Sequence, residues 1–179
     1  VRYLGEAADA VVGALPNVVT AHGQVQAHVV GSGWGTRADG PALVGAVLAE
    51  GLPVVVAADA IGMLPAAGVG PHVLLTPHAG ELARLLGGER SAVEADPVGA
   101  ARRASGLTGA VVLLKGASQC VAEPSGRVTL AVPGPAWTAQ AGSGDVLAGM
   151  CGALLAAGLG AREGALTAAS VQAMVEHLE

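Results

Sequence analysis

The chain has 179 residues, enough for one domain with a buried core, and its formal net charge of −5 argues against nucleic acid or an anionic membrane as a partner. Only 2% of the residues are aromatic, so there is almost no stacking surface for single-stranded nucleic acid. The uncharged apolar run over residues 146–161 is shorter than the roughly 20 apolar residues that a membrane-spanning helix needs.

Short apolar strands alternate with helices along the chain. Strands are predicted over 25–30, 53–57, 73–75 and 111–114, and a hairpin joins two lighter strands near 119–122 and 128–132. Helices are predicted over 41–50, 80–86, 96–105, 145–157 and 161–178. This alternation predicts an α/β fold, a three-layer sandwich whose mostly parallel central sheet is covered on both faces. No linker or internal repeat interrupts it, so we expect a single domain over residues 1–179.

Polar residues cluster where four of the predicted strands end. These are Gly31-Ser32-Gly33, Asp59, Thr76-Pro77-His78 and Lys115-Gly116. In open α/β sheets the ligand crevice lies outside the carboxyl ends of the strands. The sequence therefore predicts that these four segments share one functional edge.

The segment A-G-S-G-D-V-L-A-G, residues 141–149, has the strongest chemical content. Small residues can turn tightly and point backbone N–H groups at one spot, and the N-terminus of a helix favours a phosphate there. A carboxylate held beside that phosphate, here Asp145, can deprotonate an attacking hydroxyl, which indicates phosphoryl transfer. The same pattern also fits a simple tight turn with an acidic residue in the first turn of a helix.

Lys115 follows an apolar strand and is the only lysine in the chain. At the predicted crevice it can reach a nucleotide phosphate, although a lysine in this position can also be a solvated strand end. The segment T-P-H-A-G-E, residues 76–81, is similarly open to two interpretations. Thr76 or His78 can cap a helix with Glu81 in its first turn, or His78 can contact a substrate while Glu81 supports a metal–phosphate network.

Two further segments give weaker signals. G-S-G-W-G, residues 31–35, is a poor dinucleotide fingerprint but suits close backbone approach to a ligand. Asp59 can cap the turn that follows it or help to hold Mg²⁺ indirectly. Cys120 and Cys151 lack metal-site spacing and are interpreted as small buried hydrophobes in a reducing cytoplasm. Helices rich in Ala and Gly with few charges indicate subunit contacts, so we expect a homo-oligomer.

In this order, the motifs resemble the ribokinase-like superfamily and, more narrowly, the ADP- or ATP-dependent NAD(P)HX dehydratase family. The similar segments cover most of the chain: VVGSGWG at 29–35, VVVAADAIGML at 54–64, LLTPHAGELARLLG at 74–87, VVLLKGASQCVAEPSGRV at 111–128 and AGSGDVLAGMCGALLAAGL at 141–159. The chain departs from the family pattern in having Ala79 where a proline is usual. It also begins after the family's opening sheet-and-helix segment, so we expect the domain to be N-terminally incomplete.

The resemblance implies a repair enzyme for hydrated NADH or NADPH (NADHX or NADPHX). ADP or ATP, with Mg²⁺, would phosphorylate the hydroxyl of the hydrate, and phosphate elimination would restore the nicotinamide cofactor. By position, Gly33 and His78 would contact the substrate, and Asp145 would lie beside its hydroxyl as the catalytic base. The residues that would hold the nucleotide are Lys115, Gly116, Ala117, Ser118, Gln119, Gly142, Ser143 and Gly144.

Two other functions stay open on the sequence. One is a small-molecule kinase of the same superfamily, acting on a sugar or a vitamin precursor, which the T-P-H-x-G-E segment disfavours. The other is an inactive nucleotide-binding or oligomer-forming module. The choice between ADP and ATP and between NADHX and NADPHX also stays open.

Overall fold

A computed structural model describes residues 1–116, 119–131 and 140–175. Its centre is one six-stranded sheet in which the strands lie side by side in chain order. The strands are β1 (His28–Val30), β2 (Val54–Val56), β3 (Val73–Leu75), β4 (Val111–Leu114), β5 (Cys120–Ala122) and β6 (Val128–Leu130). β1 to β4 pair in parallel, whereas β5 and β6 are antiparallel additions. The predicted mostly parallel sheet and its terminal hairpin are confirmed.

Helices connect and cover these strands. They are α1 (Ala8–Ala14), α2 (Gly40–Ala49), α3 (Ala79–Leu86), α4 (Arg90–Ala95), α5 (Pro97–Thr108), α6 (Ser143–Ala156) and α7 (Ala161–Val175), with a 3₁₀ helix over Ala58–Met63. The sequence prediction missed α1, α4 and the 3₁₀ helix, all of which are short. The predicted helices 145–157 and 161–178 correspond to α6 and α7, and residues 176–179 lie outside the described residues.

The side chains of each central strand divide between two cores. In β2, Val54 and Val56 belong to the core beneath α2 to α5, whereas Val55 faces the core beneath α6 and α7. β3 and β4 alternate in the same way, because successive side chains of a strand point to opposite faces. Burial on both faces explains why these strands are continuous apolar runs. The three-layer α/β sandwich predicted from the sequence is therefore confirmed.

The loop after β1 depends on a glycine. Gly31 has φ +115°, and a Cβ placed there would stand 1.9 Å from the carbonyl oxygen of Ala57, at the end of β2. This backbone-to-backbone contact brings the 31–35 loop against the neighbouring strand end. Only a residue without a side chain allows both the conformation and the approach.

We expect Gly31→Ala to lower the free energy of unfolding by about 2–3 kcal/mol, through backbone strain and displacement of the loop. Gly45→Ala is the matched control, because Gly45 lies inside α2 and a Cβ there meets nothing within 4 Å. That control should be neutral or stabilising by about 0.4–1 kcal/mol. Urea denaturation of both variants measures the difference, and equal stabilities would contradict the close approach.

Two further expectations from the sequence concerned membrane-spanning helices and the two cysteines. None of the described helices combines the length and apolarity required to cross a membrane. Cys120 and Cys151 are both free and buried, and burial raises the pKa of the Cys151 thiol to about 12. A thiol with so high a pKa stays protonated and unreactive, which fits the interpretation of this residue as a small hydrophobe.

Candidate functional site

The segments that follow β3 and β4 run side by side beyond the ends of the strands. The N–H of Lys115 donates to the carbonyl of Pro77 over 2.8 Å, and His78 pairs with Lys115 in a parallel bridge. The parallel pairing of β3 with β4 therefore continues as one isolated bridge beyond the ends of the two strands. As a result, T-P-H and Lys-Gly, which are widely separated in the sequence, become neighbours.

His78 and Glu81 form a reciprocal cap at the start of α3. Nδ1 of His78 accepts hydrogen bonds from the N–H groups of Gly80 and Glu81, over 3.0 and 3.2 Å. The Glu81 carboxylate in return accepts the N–H of His78 over 2.7 Å. The capping interpretation of His78 is thus confirmed, and the arrangement is a capping box. It fixes the Glu81 side chain in one orientation.

The same Glu81 carboxylate reaches Lys115. Nζ of Lys115 lies 3.8 Å from Oε2 of Glu81, and the two side chains are only 21% and 10% exposed. Lys115 is therefore largely covered, which a freely solvated strand end would not be. Nζ also lies 3.1 Å from the position of a Cβ on Gly144. The single lysine of the chain thus lies beside the small-residue bend.

The bend itself is open. Gly142 has φ +91°, it is exposed, and a Cβ there would meet nothing within 4 Å. α6 begins immediately after it at Ser143, with exposed Asp145 in the first turn. The N–H of Gly144 donates to none of the residues that the structure describes. Free N–H groups at a helix start carry a partial positive charge, so this bend can accept an anion.

A buried polar atom near the strand ends also lacks a partner. Oε1 of Gln119 is inaccessible to solvent and accepts no hydrogen bond within the described ranges. Buried polar groups are nearly always paired in folded proteins, so this oxygen is available to accept a hydrogen bond from a ligand. Gly116 is exposed beside Lys115, whereas the predicted nucleotide contacts Ala117 and Ser118 lie outside the described residues.

A cavity of about 210 Å³ lies at the carboxyl ends of β1, β2 and β3. It is lined by Gly35, Thr36, Ala58, Asp59, Ile61, Gly62, Glu81 and Arg84. Glu81 therefore faces both this cavity and Lys115. Gly33 is exposed in the loop that supplies Gly35, and His78 contacts Glu81, but neither residue lines the cavity.

Asp59 does not cap the turn that follows it, which was one of the two interpretations of its sequence position. The 3₁₀ helix begins at Ala58, and Asp59 lies within its first turn rather than before it. Oδ2 of Asp59 accepts the N–H of Gly35 over 2.7 Å, which ties the glycine loop to the end of β2. Ala58 adopts φ +47°, an uncommon conformation for a residue with a side chain, at the wall of the cavity.

Arg84 was missed by the sequence reasoning. Its signal was its position three residues after Glu81, which places both on one face of α3. The same helix thus presents a carboxylate and a guanidinium to the cavity. Within residues 1–116, 119–131 and 140–175, no group of three or more His, Cys, Asp or Glu is placed to hold a metal ion.

The protonation state of His78 follows from its contacts. Because Nδ1 accepts two N–H groups, the proton of the neutral ring is on Nε2, 3.2 Å from Oε1 of Glu81. Partial burial lowers the pKa of His78 below its ordinary value of 6.5, although the Glu81 charge opposes this shift and Lys115 assists it. The folded chain therefore holds His78 neutral at a pH where the unfolded chain protonates it.

This linkage predicts a pH dependence of stability. As the pH falls through 6.5, the unfolded chain gains a proton that the folded chain resists, so the free energy of unfolding should decrease. His78→Asn is the matched control, because asparagine caps a helix but does not titrate. Urea denaturation from about pH 8 to about pH 5 should give a steeper decline for the unmodified chain. Parallel curves would contradict this assignment.

Comparison with known proteins identifies the family. A family model described as NAD(P)H-hydrate dehydratase matches residues 5–178. The bifunctional NAD(P)H-hydrate repair enzyme Nnr of Mycobacterium tuberculosis is 46% identical over 175 residues, covering 92% of this chain but 36% of the relative. The ADP-dependent (S)-NAD(P)H-hydrate dehydratase of Neisseria meningitidis is 39% identical over 155 residues, covering 81% of this chain and 52% of the relative.

The fold has solved counterparts. The ADP/ATP-dependent NAD(P)H-hydrate dehydratase of Bacillus subtilis, crystallised with ATP and Mg²⁺, superposes with a TM-score of 0.85 at 24% identity. The match covers 96% of this chain and 66% of that structure, so the ribokinase-like fold expected from the motifs is confirmed. This chain spans about a third of the length of the mycobacterial relative, 36%. On the family match over nearly all of its residues, the chain belongs to the NAD(P)H-hydrate dehydratase family.

Proposed function

We propose that this chain dehydrates hydrated NADH or NADPH at the expense of ADP or ATP. The nucleotide phosphorylates the hydroxyl of the hydrate, and loss of the phosphate with that oxygen restores the reduced nicotinamide. The observation that carries the proposal is the position of Lys115 Nζ beside Gly144, directly before Asp145. It places a cation, free N–H groups and a carboxylate around one open bend, as phosphoryl transfer requires.

The nucleotide is assigned to the side of the site formed by Lys115 and the bend. Lys115 and the N–H groups at Gly142 and Gly144 would hold phosphate oxygens, since an ammonium and a helix start both attract anions. Ser143, whose N–H donates to the carbonyl of Gln140 over 3.2 Å, is assigned to the same bend by its position in the sequence. Gly116 and Oε1 of Gln119, which has no hydrogen-bond partner among the described residues, extend this surface, and Ala117 and Ser118 are assigned to it by position in the sequence. The relatives named for ADP, or crystallised with ATP and Mg²⁺, support this choice of nucleotide.

Mg²⁺ fits the residues on the other side of Lys115. Asp59 and Glu81 both line the cavity, and Mg²⁺ is usually held by one or two carboxylates together with substrate phosphates and water. The ion supplies charge neutralisation for the transferred phosphoryl group. Glu81 would support the ion, as the sequence interpretation suggested, and would also keep its ion pair with Lys115.

The dinucleotide hydrate is assigned to the cavity side. Gly33 offers an unobstructed backbone in the loop that supplies Gly35 to the cavity wall, and His78 presents a half-exposed neutral ring next to Glu81. Asp145, exposed in the first turn of α6, would take the proton of the hydrate hydroxyl as the hydroxyl oxygen attacks the phosphoryl group. Positioning and charge neutralisation would supply the rest of the rate enhancement.

An assay of the full chain with hydrated NADH and ADP or ATP tests this function. A dehydratase regenerates the absorbance of reduced nicotinamide, and the increase must depend on the nucleotide. A small-molecule kinase would instead leave a stable phosphorylated product. If the chain shows neither turnover nor nucleotide binding at about millimolar concentration, the proposal is overturned and an inactive module is favoured.

The cellular setting remains a proposal. We place the protein in the cytoplasm, which the two free buried thiols support, with a small-molecule substrate and no nucleic-acid partner. We also propose that residues 1–179 form one domain and assemble as a homo-oligomer. Exposed large apolar side chains such as Val29, Leu130 and Val146 support self-association, and light scattering of the purified chain would test it.

A further inference from the structure

Gln172 makes an interlayer contact that the functions above do not use. It lies on α7, and its Nε2 donates to the carbonyl oxygen of Ser143 over 3.0 Å, at the first residue of α6. The buried face of α7 is lined by alanines, among them Ala165, Ala168 and Ala169. Helical spacing puts Gln172 on this same face, so a long polar side chain reaches from an alanine surface to the bend.

The contacted carbonyl belongs to a peptide that matters at the site. The C=O of Ser143 and the N–H of Gly144 form one planar unit and point in opposite directions. A donor on the carbonyl therefore fixes where the N–H points, and it also polarises that N–H into a better donor. The Gly144 N–H donates to no described residue, and Lys115 Nζ stands beside Gly144.

The local sequence explains why such a support is needed. Gly142 and Gly144 flank Ser143, and glycines allow a peptide to rotate more freely than other residues do. Ser143 Oγ holds the preceding turn by donating to the carbonyl of Gln140 over 2.8 Å, but this bond does not restrain the following peptide. The Ser143–Gly144 peptide lies in the first turn of α6, and Gln172 adds a second restraint to it from α7.

We propose that Gln172 is a positioning residue, which orients the Ser143–Gly144 peptide so that the Gly144 N–H donates to a phosphate of the bound adenine nucleotide. This role rests on the proposed function and refines its nucleotide side. It requires no contact between Gln172 and the ligand. The consequence is selective: loss of the amide should weaken nucleotide binding and leave the dinucleotide side unchanged.

Calorimetry with ADP in the absence of Mg²⁺ tests the proposal on the full chain. Gln172→Met keeps the length of the side chain but removes the donor, and Gln172→Asn keeps an amide that is one methylene too short. Both should weaken ADP binding by about 3- to 10-fold, the effect of one hydrogen bond. Val171→Ala, at an exposed neighbour on α7, should bind ADP like the unmodified chain.

Two further measurements separate positioning from a merely structural role. NADH affinity should be unchanged in both Gln172 variants, and the Gly144 amide resonance, which should shift on ADP binding, should shift less. If the unmodified chain binds ADP and both variants bind it equally well, the role of Gln172 is wrong and the proposed function stands. Equal losses for ADP and NADH would also overturn it. If the unmodified chain binds no ADP, the proposed function fails first.

Discussion

Asp145→Asn should reduce turnover by about 10²- to 10⁴-fold, the usual contribution of a general base. The amide has the shape of the carboxylate but cannot accept the proton of the hydrate hydroxyl. Asp145 is exposed in the first turn of α6, so the change buries no new group and leaves the bend intact. ADP affinity should therefore change little, and the loss should lie in kcat rather than in KM.

Asp9→Asn is the control for the lost charge, since Asp9 is the acidic residue in the first turn of α1. Each substitution removes a favourable interaction with a helix dipole, about 0.3–1 kcal/mol of stability. Only Asp145→Asn should affect catalysis. Retention of more than about a tenth of the turnover by that variant would exclude Asp145 as the base.

Strand positions were the most predictable part of the fold. The predicted strands over 73–75 and 111–114 coincide with β3 and β4, because both are short apolar runs buried on both faces. Pro77 follows β3 and Gly109 precedes β4, so each run has a clear boundary in the sequence. α4 was missed because its six residues are too few to show a helical period. The 3₁₀ helix was missed because Ala58, at φ +47°, takes a conformation that the surrounding fold imposes.

The arrangement of the site was predictable for a topological reason. Residues that follow parallel strands meet at one edge, so the ends of β3 and β4 bring His78, Glu81 and Lys115 together. Contacts between layers have no comparable signal in the sequence. Gln172 reaches Ser143 from a different helix, and its place on α7 carries no local pattern that reveals this. The roles of Gly33 and His78 toward a substrate stay predictions.

Lys115→Met should lower kcat/KM for the nucleotide by about 10²- to 10³-fold, comparable with the loss of one preorganised donor at a charged transition state. The chain has no other lysine, and Lys115 Nζ lies between Glu81 and the bend. Its removal leaves the Glu81 carboxylate, only 10% exposed, without that cation. We therefore expect lower stability together with the loss of nucleotide binding, measured by urea denaturation and by calorimetry with ADP.

The double variant Lys115→Met with Glu81→Gln separates the two effects. Glutamine is neutral and still completes the capping box with His78, so the double variant should regain stability relative to Lys115→Met alone. It should not regain nucleotide affinity, because the cation beside Gly144 is still missing. Recovery of ADP binding in the double variant would mean that an unpaired Glu81, rather than the absent ammonium, repelled the nucleotide. Lys115 would then neutralise Glu81 without contacting phosphate.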